Sequence, residues 1–186
     1  MSAPCLWMVT GERAAGKTTF CRALASHACQ SGWDVAGLFC PAVFEGGQKT
    51  GILAESVRTG EARLLASTRP RTPADLRFGQ WYFDHAVLDW GDQIIASSPP
   101  CDLLIVDELG PLELIHQAGW RSALEVLGSN QYQVGLVVVR PELQLQVHQR
   151  LPITSTLTLD KTRPTDTWVQ HCWAVLSAGI KPGLRA

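Results

Sequence analysis

The octapeptide Gly11-Glu12-Arg13-Ala14-Ala15-Gly16-Lys17-Thr18 fits the pattern G-x-x-x-x-G-K-[ST] at every position. No other stretch restricts the fold so strongly, because this spacing works in one structural setting. A buried strand has to end at the first glycine, and a helix has to begin at the lysine. The loop between them then turns successive backbone N–H groups inward, and the helix N-terminus adds partial positive charge. Both flanks are present. Cys5–Thr10 is a continuous apolar run between Pro4 and Gly11, as a fully buried strand requires. Beyond Gly16, Phe20, Leu24 and Ala28 recur at helical spacing until Gly32. The loop is therefore expected to cradle the phosphates of a nucleoside triphosphate through Gly11, Glu12, Arg13, Ala14, Ala15, Gly16, Lys17 and Thr18. Lys17 supplies a point charge on the β- and γ-phosphates and so a catalytic role, and the Thr18 hydroxyl is a ligand for Mg²⁺.

The remaining periodicities extend the same architecture. Residues 35–40, 102–106, 133–139 and 153–159 read as strands, and residues 84–96, 120–127, 142–149 and 165–178 as helices. Strands alternating with helices predict an α/β fold, a mostly parallel sheet with helices on both faces. The stretch 41–67 breaks the alternation. Its apolar runs are separated by Glu45-Gly46-Gly47 and Arg58-Thr59-Gly60-Glu61, which predicts an antiparallel hairpin or meander decorating the main sheet. Residues 69–79, with two prolines and several charges, read as a surface loop, and 79–83 as a short strand. At 186 residues the chain fits a single domain, residues 1–186.

The run 103–106 ends in Asp107-Glu108. Two carboxylates at the end of a buried strand are costly unless they meet cations or donors. Ligands in open α/β sheets sit at the carboxyl ends of the strands, so both acids should face the phosphate loop. Asp107 is then the acid that holds Mg²⁺, and Glu108 is placed to orient or deprotonate an attacking water. Arg140 follows the strand 133–139 and should emerge at the same edge. There it is either a finger that stabilises transition-state charge or a solvated cation before Pro141. Arg163, beyond the last strand, is a candidate contact to base or ribose.

Composition closes off other classes. Hydrophobic residues make up 46% of the chain and charged residues 18%, as in an ordered globule. Sixteen Lys+Arg against 17 Asp+Glu, with no basic block, give no footprint for nucleic acid. No apolar run is long enough to span a bilayer. The six cysteines form no CxxC pair and no zinc-type cluster with the five scattered histidines, so free thiols in the cytoplasm are expected.

The phosphate loop followed by Thr19-Phe20, together with Val106-Asp107-Glu108-Leu109-Gly110-Pro111-Leu112-Glu113, resembles the THEP1-type nucleoside-triphosphatases. Gly37-Leu38-Phe39, the Gly46/Gly51 hairpin with Arg58-Thr59-Gly60, and Gly79-Gln80-Trp81-Tyr82-Phe83-Asp84 are similar as well. The resemblance implies a RecA-like P-loop fold and slow hydrolysis of ATP, GTP and other nucleoside triphosphates. It carries nucleotide contacts to Gly11–Thr18, with Thr19, and to the stretch Leu104–Pro111, Leu109 and Gly110 among them, and a catalytic role to Glu108. It also draws Glu113 toward the site, a residue that by sequence is equally an exposed acid starting a helix. Thr162-Arg163 stands where the family often has Asn-Arg, so only the arginine carries over.

Two other functions share these motifs. One is a small-molecule or nucleoside kinase, for which Arg63, Arg69, Arg71 and Arg77 are the nearest thing to an arginine-rich lid. The other is a nucleotide-switched adaptor acting on an unidentified protein partner through the region 41–79.

Overall fold

Apolar strands that alternate with amphipathic helices are satisfied by a sheet covered on both faces. The computed structural model, which describes residues 4–116 and 118–178, has that form. The strands are β1 (Cys5–Thr10), β2 (Val35–Phe39), β3 (Ala42–Glu45), β4 (Gln48–Ser56), β5 (Ala62–Ser67), β6 (Leu76–Phe78), β7 (Trp81–Phe83), β8 (Cys101–Leu109), β9 (Tyr132–Val139) and β10 (Ser155–Thr158). The helices are α1 (Lys17–Gln30), α2 (His85–Ala96), α3 (Pro111–Leu114), α4 (Ala123–Gly128), α5 (Gln144–Arg150) and α6 (Thr165–Ser177). All ten strands join one sheet in the order β10-β1-β9-β8-β2-β4-β5-β7-β6, with β3 paired to β4.

The half from β10 to β2 is parallel. From β2 onward every pairing is antiparallel. Side chains alternate across the strands and divide the interior into two layers. Val9, Ile105 and Val138 pack with Phe20, Leu24, Trp168 and Cys172 beneath α1 and α6. Met8, Leu104 and Val137 pack with Leu88, Ile95, Leu127 and Val147 beneath α2, α4 and α5. One strand, β9, separates β1 from β8. Two strand spacings put the ends of β1 and β8 roughly 10 Å apart, room for a phosphate chain and an ion.

The structure revises four expectations. The region 41–67 does not decorate the sheet but continues it, because β4 pairs directly with β2. Within the expected loop 69–79, Leu76–Phe78 pairs with Trp81–Phe83 across the tight turn Gly79-Gln80. The strand expected at 102–106 runs on through Asp107, Glu108 and Leu109, with a shift of register against β9 between Val106 and Leu109. The helix expected from residue 120 begins at Ala123. Trp120 instead drops onto α2 at Gly91, where even a Cβ would lie 2.4 Å from the indole. That contact seals the lower layer and leaves Trp120 buried ahead of the helix.

Candidate active site

The loop after β1 has the backbone its residue types allow. Gly11 has φ 139°, and a Cβ there would stand 2.3 Å from the Leu159 carbonyl oxygen, so only glycine fits. Ala14 and Gly16 also take positive φ, and Gly16 is the residue from which α1 starts. Lys17 folds back across the loop, its Nζ donating to the carbonyls of Gly11 at 2.7 Å and Glu12 at 2.9 Å. Burial lowers the Lys17 pKa, while the nearby Glu108 and Asp107 carboxylates raise it and Arg140 lowers it further. The phosphate loop and the end of β8 therefore share one electrostatic neighbourhood.

Asp107 has no solvent exposure. Its Oδ2 accepts the Cys40 N–H at 3.0 Å, whereas Oδ1, equally buried, makes no well-formed hydrogen bond, the Thr18 hydroxyl acting on the carboxylate only weakly. Burial pushes its pKa up to about 6, and the Glu108 charge adds to the rise; the Cys40 N–H, the Thr18 hydroxyl and Lys17 oppose it. A charged oxygen buried without a well-formed hydrogen bond is an unfavourable arrangement in a protein left to itself. It fits a site whose missing partner is a cation. Asp107 and the Thr18 hydroxyl offer only oxygens, which suits a hard ion such as Mg²⁺ that keeps waters and phosphate oxygens as its other ligands. No group of three or more His, Cys, Asp or Glu side chains forms a metal cage among the described residues. The phosphate-bridged type of site does not need one.

Glu108 follows in a left-handed conformation, φ 63°, at the register shift of β8. For a residue with a Cβ this costs on the order of 1–2 kcal/mol. The extra residue turns the second carboxylate away from the core while its neighbour stays buried. Glu108 Oε2 then meets Arg140 Nη2 at 3.4 Å, with both side chains partly exposed. Arg140 leaves the end of β9 in extended conformation, held there by Pro141.

Glu113 is neither exposed nor aimed at the loop. It is 7% exposed; its Oε2 accepts the Gly110 N–H at 2.8 Å and its Oε1 the Trp120 N–H at 3.0 Å. Its carboxylate clamps the turn that follows β8, and burial raises its pKa against those two hydrogen bonds. Leu109 is fully buried in the lower layer, so its side chain does not reach the nucleotide site, and the Gly110 N–H is already given to Glu113. Glu12, Arg13 and Thr19 are exposed around the loop, and Ala15 packs against the upper layer. Arg163 lies in the bend after Leu159, its N–H donating to Asp160 Oδ1 at 3.1 Å and its guanidinium 4.3 Å above the Trp168 ring.

Two features carried no signal in the sequence. Lys49 on β4 is half-buried above the Trp81 ring, 5.3 Å from its centroid. Burial lowers its pKa, Glu108 raises it, and Arg13 and Arg140 lower it, so it faces the same edge. The second is a cleft of about 240 Å³ beside Glu108 and Arg140. Of the four arginines expected to make a kinase-like lid, three are engaged elsewhere: Arg63 over Trp90, Arg71 with Asp84 at 3.7 Å, and Arg77 over Tyr82.

A glycine-shaped phosphate loop that faces a buried acid across one intervening strand is the construction of a P-loop NTPase. Known proteins narrow that class. A family model described as NTPase matches residues 7–162. The nucleoside-triphosphatase THEP1 of Ignicoccus hospitalis is 32% identical over 123 residues, 66% of this chain and 69% of that protein. The THEP1 of Caldivirga maquilingensis is 27% identical over 152 residues, 81% of this chain and 83% of its own. In fold, the solution structure of a human cancer-related nucleoside triphosphatase is similar at a TM-score of 0.69. That likeness covers 96% of this chain and 100% of the human one at 19% identity. The chain belongs to the NTPase family of THEP1-type nucleoside-triphosphatases, as the Asp107–Glu113 motif implied, and it is an NTPase.

Proposed function

We propose that the protein hydrolyses ATP, GTP and other nucleoside triphosphates to the diphosphate and phosphate in a Mg²⁺-dependent reaction. The observation that carries this reading is the buried Oδ1 of Asp107, without a well-formed hydrogen bond, beside Thr18 and directly ahead of Glu108. When bound, the ion would neutralise charge on the β- and γ-phosphate oxygens, with Asp107 and Thr18 as its protein ligands. The N–H groups of residues 11–18 hold the phosphate chain, and Lys17 exchanges its two carbonyl contacts for phosphate oxygens. Glu108 orients a water for in-line attack and accepts its proton. Arg140, already in contact with Glu108, turns its guanidinium toward the charge that develops on the γ-phosphoryl oxygens.

Broad base acceptance is expected of a loop that grips phosphates, with Arg163 the candidate for contact to ribose or base. The part-exposed Arg140–Glu108 pair has to part before either side chain can act, which slows turnover by no more than about fivefold. Among the described residues no helix is long and apolar enough to cross a membrane, and all six cysteines are free thiols, which supports a reducing, cytoplasmic setting.

The test is phosphate release across several Mg-nucleotides. Lys17→Ala is expected to lose nucleotide binding. Glu108→Gln is expected to keep binding and lose about 10²–10⁴-fold in turnover. Unchanged turnover in Glu108→Gln would exclude it as the residue acting on water.

A further inference from the structure

Hydrolysis uses one side of Glu108, and the other side opens on the 240 Å³ cleft. The order of the strands makes this division. The phosphate loop follows β1, on one side of β8, while the cleft is walled by β4, β5 and β7, on the other. An acid that holds an ion between the β- and γ-phosphates turns the γ end of the nucleotide toward β8. The cleft therefore lies beyond the transferable phosphoryl group, and the base of the same nucleotide points away from it.

The walls define what fits. Phe78, Trp81, Phe83 and Trp120 contribute aromatic surface, and Leu65 and Leu112 line the space between them. Two of these rings are braced in advance, Trp81 beneath Lys49 and Phe78 against His116, with ring centroids 5.2 Å apart. Flat aromatic ligands gain both area and ring-to-ring contact from such walls. At about 240 Å³ the cleft is below the ~300–1,000 Å³ of drug-sized sites, so it suits one or two rings. Its charged lining groups are Glu113, saturated by two backbone N–H donors, and the mutually paired Glu108 and Arg140. Lys49 covers the outer face of the Trp81 ring, and among the described residues the only cation in the lining itself is Arg140, paired with Glu108. An acceptor that already bears a phosphate is thus disfavoured.

We propose that this cleft binds a second substrate, an uncharged one- or two-ring aromatic alcohol, whose hydroxyl takes the γ-phosphoryl group in place of water. The inference rests on Glu108 being the group that handles the nucleophile. In the step, the alcohol oxygen forms a bond to the γ-phosphorus. The bond from that phosphorus to the β–γ bridging oxygen breaks, and its electron pair leaves with the nucleoside diphosphate. The hydroxyl proton passes to Glu108 and then to solvent. The products are a phosphate monoester and the diphosphate, with no change in oxidation state. Water in an empty cleft gives the hydrolysis already described.

The probes are 2-naphthalenemethanol and benzyl alcohol, titrated calorimetrically into the full chain and then incubated with it and γ-³²P-labelled Mg-ATP. Saturable one-to-one binding is expected, with affinity at least tenfold weaker in Trp81→Ala and in Phe78→Ala. Trp81→Phe, which keeps a ring in the wall, is expected to recover most of it. Label is expected in a phosphate monoester at the expense of inorganic phosphate. Trp81→Ala is expected to lose the ester while releasing phosphate without alcohol within about twofold of the parent. Absence of saturable binding by either alcohol, binding indifferent to all three substitutions, or label confined to inorganic phosphate while alcohol is bound would each overturn the proposal. Phosphate release by the unsubstituted chain without alcohol is scored separately. Its presence without ester formation refutes the cleft alone; its absence refutes the hydrolysis reading.

Discussion

Replacing Asp107 by asparagine removes a charge from a wholly buried position that, without metal, nothing neutralises fully. Burial holds the Asp107 carboxyl at a pKa of about 6 against an ordinary 3.8. Keeping it ionised at neutral pH therefore costs the folded, metal-free chain about 3 kcal/mol, from roughly two pKa units at 1.36 kcal/mol each. The sign follows from proton linkage. The folded state holds this proton more tightly than the unfolded state, so the group penalises folding progressively as pH rises from about 4 to about 6. The full penalty remains above that window. Asparagine is neutral throughout and keeps an oxygen for the Cys40 N–H, but its amide brings a new buried donor that returns part of the gain. A net stabilisation of about 1–2 kcal/mol at pH 7 is expected for Asp107→Asn in EDTA. For a chain of this length each kcal/mol raises Tm by roughly 2–4 °C. Calorimetric scans at pH 7 and pH 4 check it: the gain should be present at the first and vanish at the second. Mg-dependent phosphate release should be lost at both. A variant less stable than the parent at pH 7, or equally stabilised at both pH values, would refute the account of this carboxylate.

Arg140→Ala is expected to lower phosphate release by about 100-fold or more while nucleotide affinity stays within about threefold; equal turnover would make Arg140 a bystander. Gly11→Ala forces a Cβ onto the Leu159 carbonyl, so both thermal stability and ATP binding should fall, as a melting curve with and without Mg-ATP would record. Glu113→Ala leaves one buried and one part-buried N–H without acceptors and should cost about 2–4 kcal/mol in denaturant unfolding. Glu113→Gln, which retains one acceptor oxygen, should cost less, and equal losses would argue against the clamp.

Some parts of the site were legible because their chemistry is contiguous in the chain. The phosphate loop is eight consecutive residues between a strand and a helix, and Asp107-Glu108 ends an unbroken apolar run. Side-chain periodicity reports such local arrangements directly. Glu113 shows where that reading stops. Its spacing from Asp107 marked it, but whether it was exposed depended on Trp120 and Gly110 arriving at its two oxygens. Leu109 makes the same point: motif membership says nothing about which face of a bulged strand a side chain takes, and this one turns into the core. Of the β6–β7 hairpin, β7 falls within the strand expected at 79–83, whereas β6 lies inside the expected loop because three residues are too few for alternation to register.

The order of residues along the chain determined that a phosphate loop follows the first strand, that two acids close a buried apolar run, and that the sheet between them is mainly parallel. Tertiary structure alone decided that β9 intervenes between cradle and acids, that Arg140 touches Glu108, and that Lys49 faces both. It also decided that an aromatic cleft opens on the far side of Glu108. The physical reason is one of range. Backbone conformation and apolar periodicity are properties of neighbours in sequence, whereas these contacts join strands dozens of residues apart. Their register is set by packing of the whole sheet, and no single segment carries it.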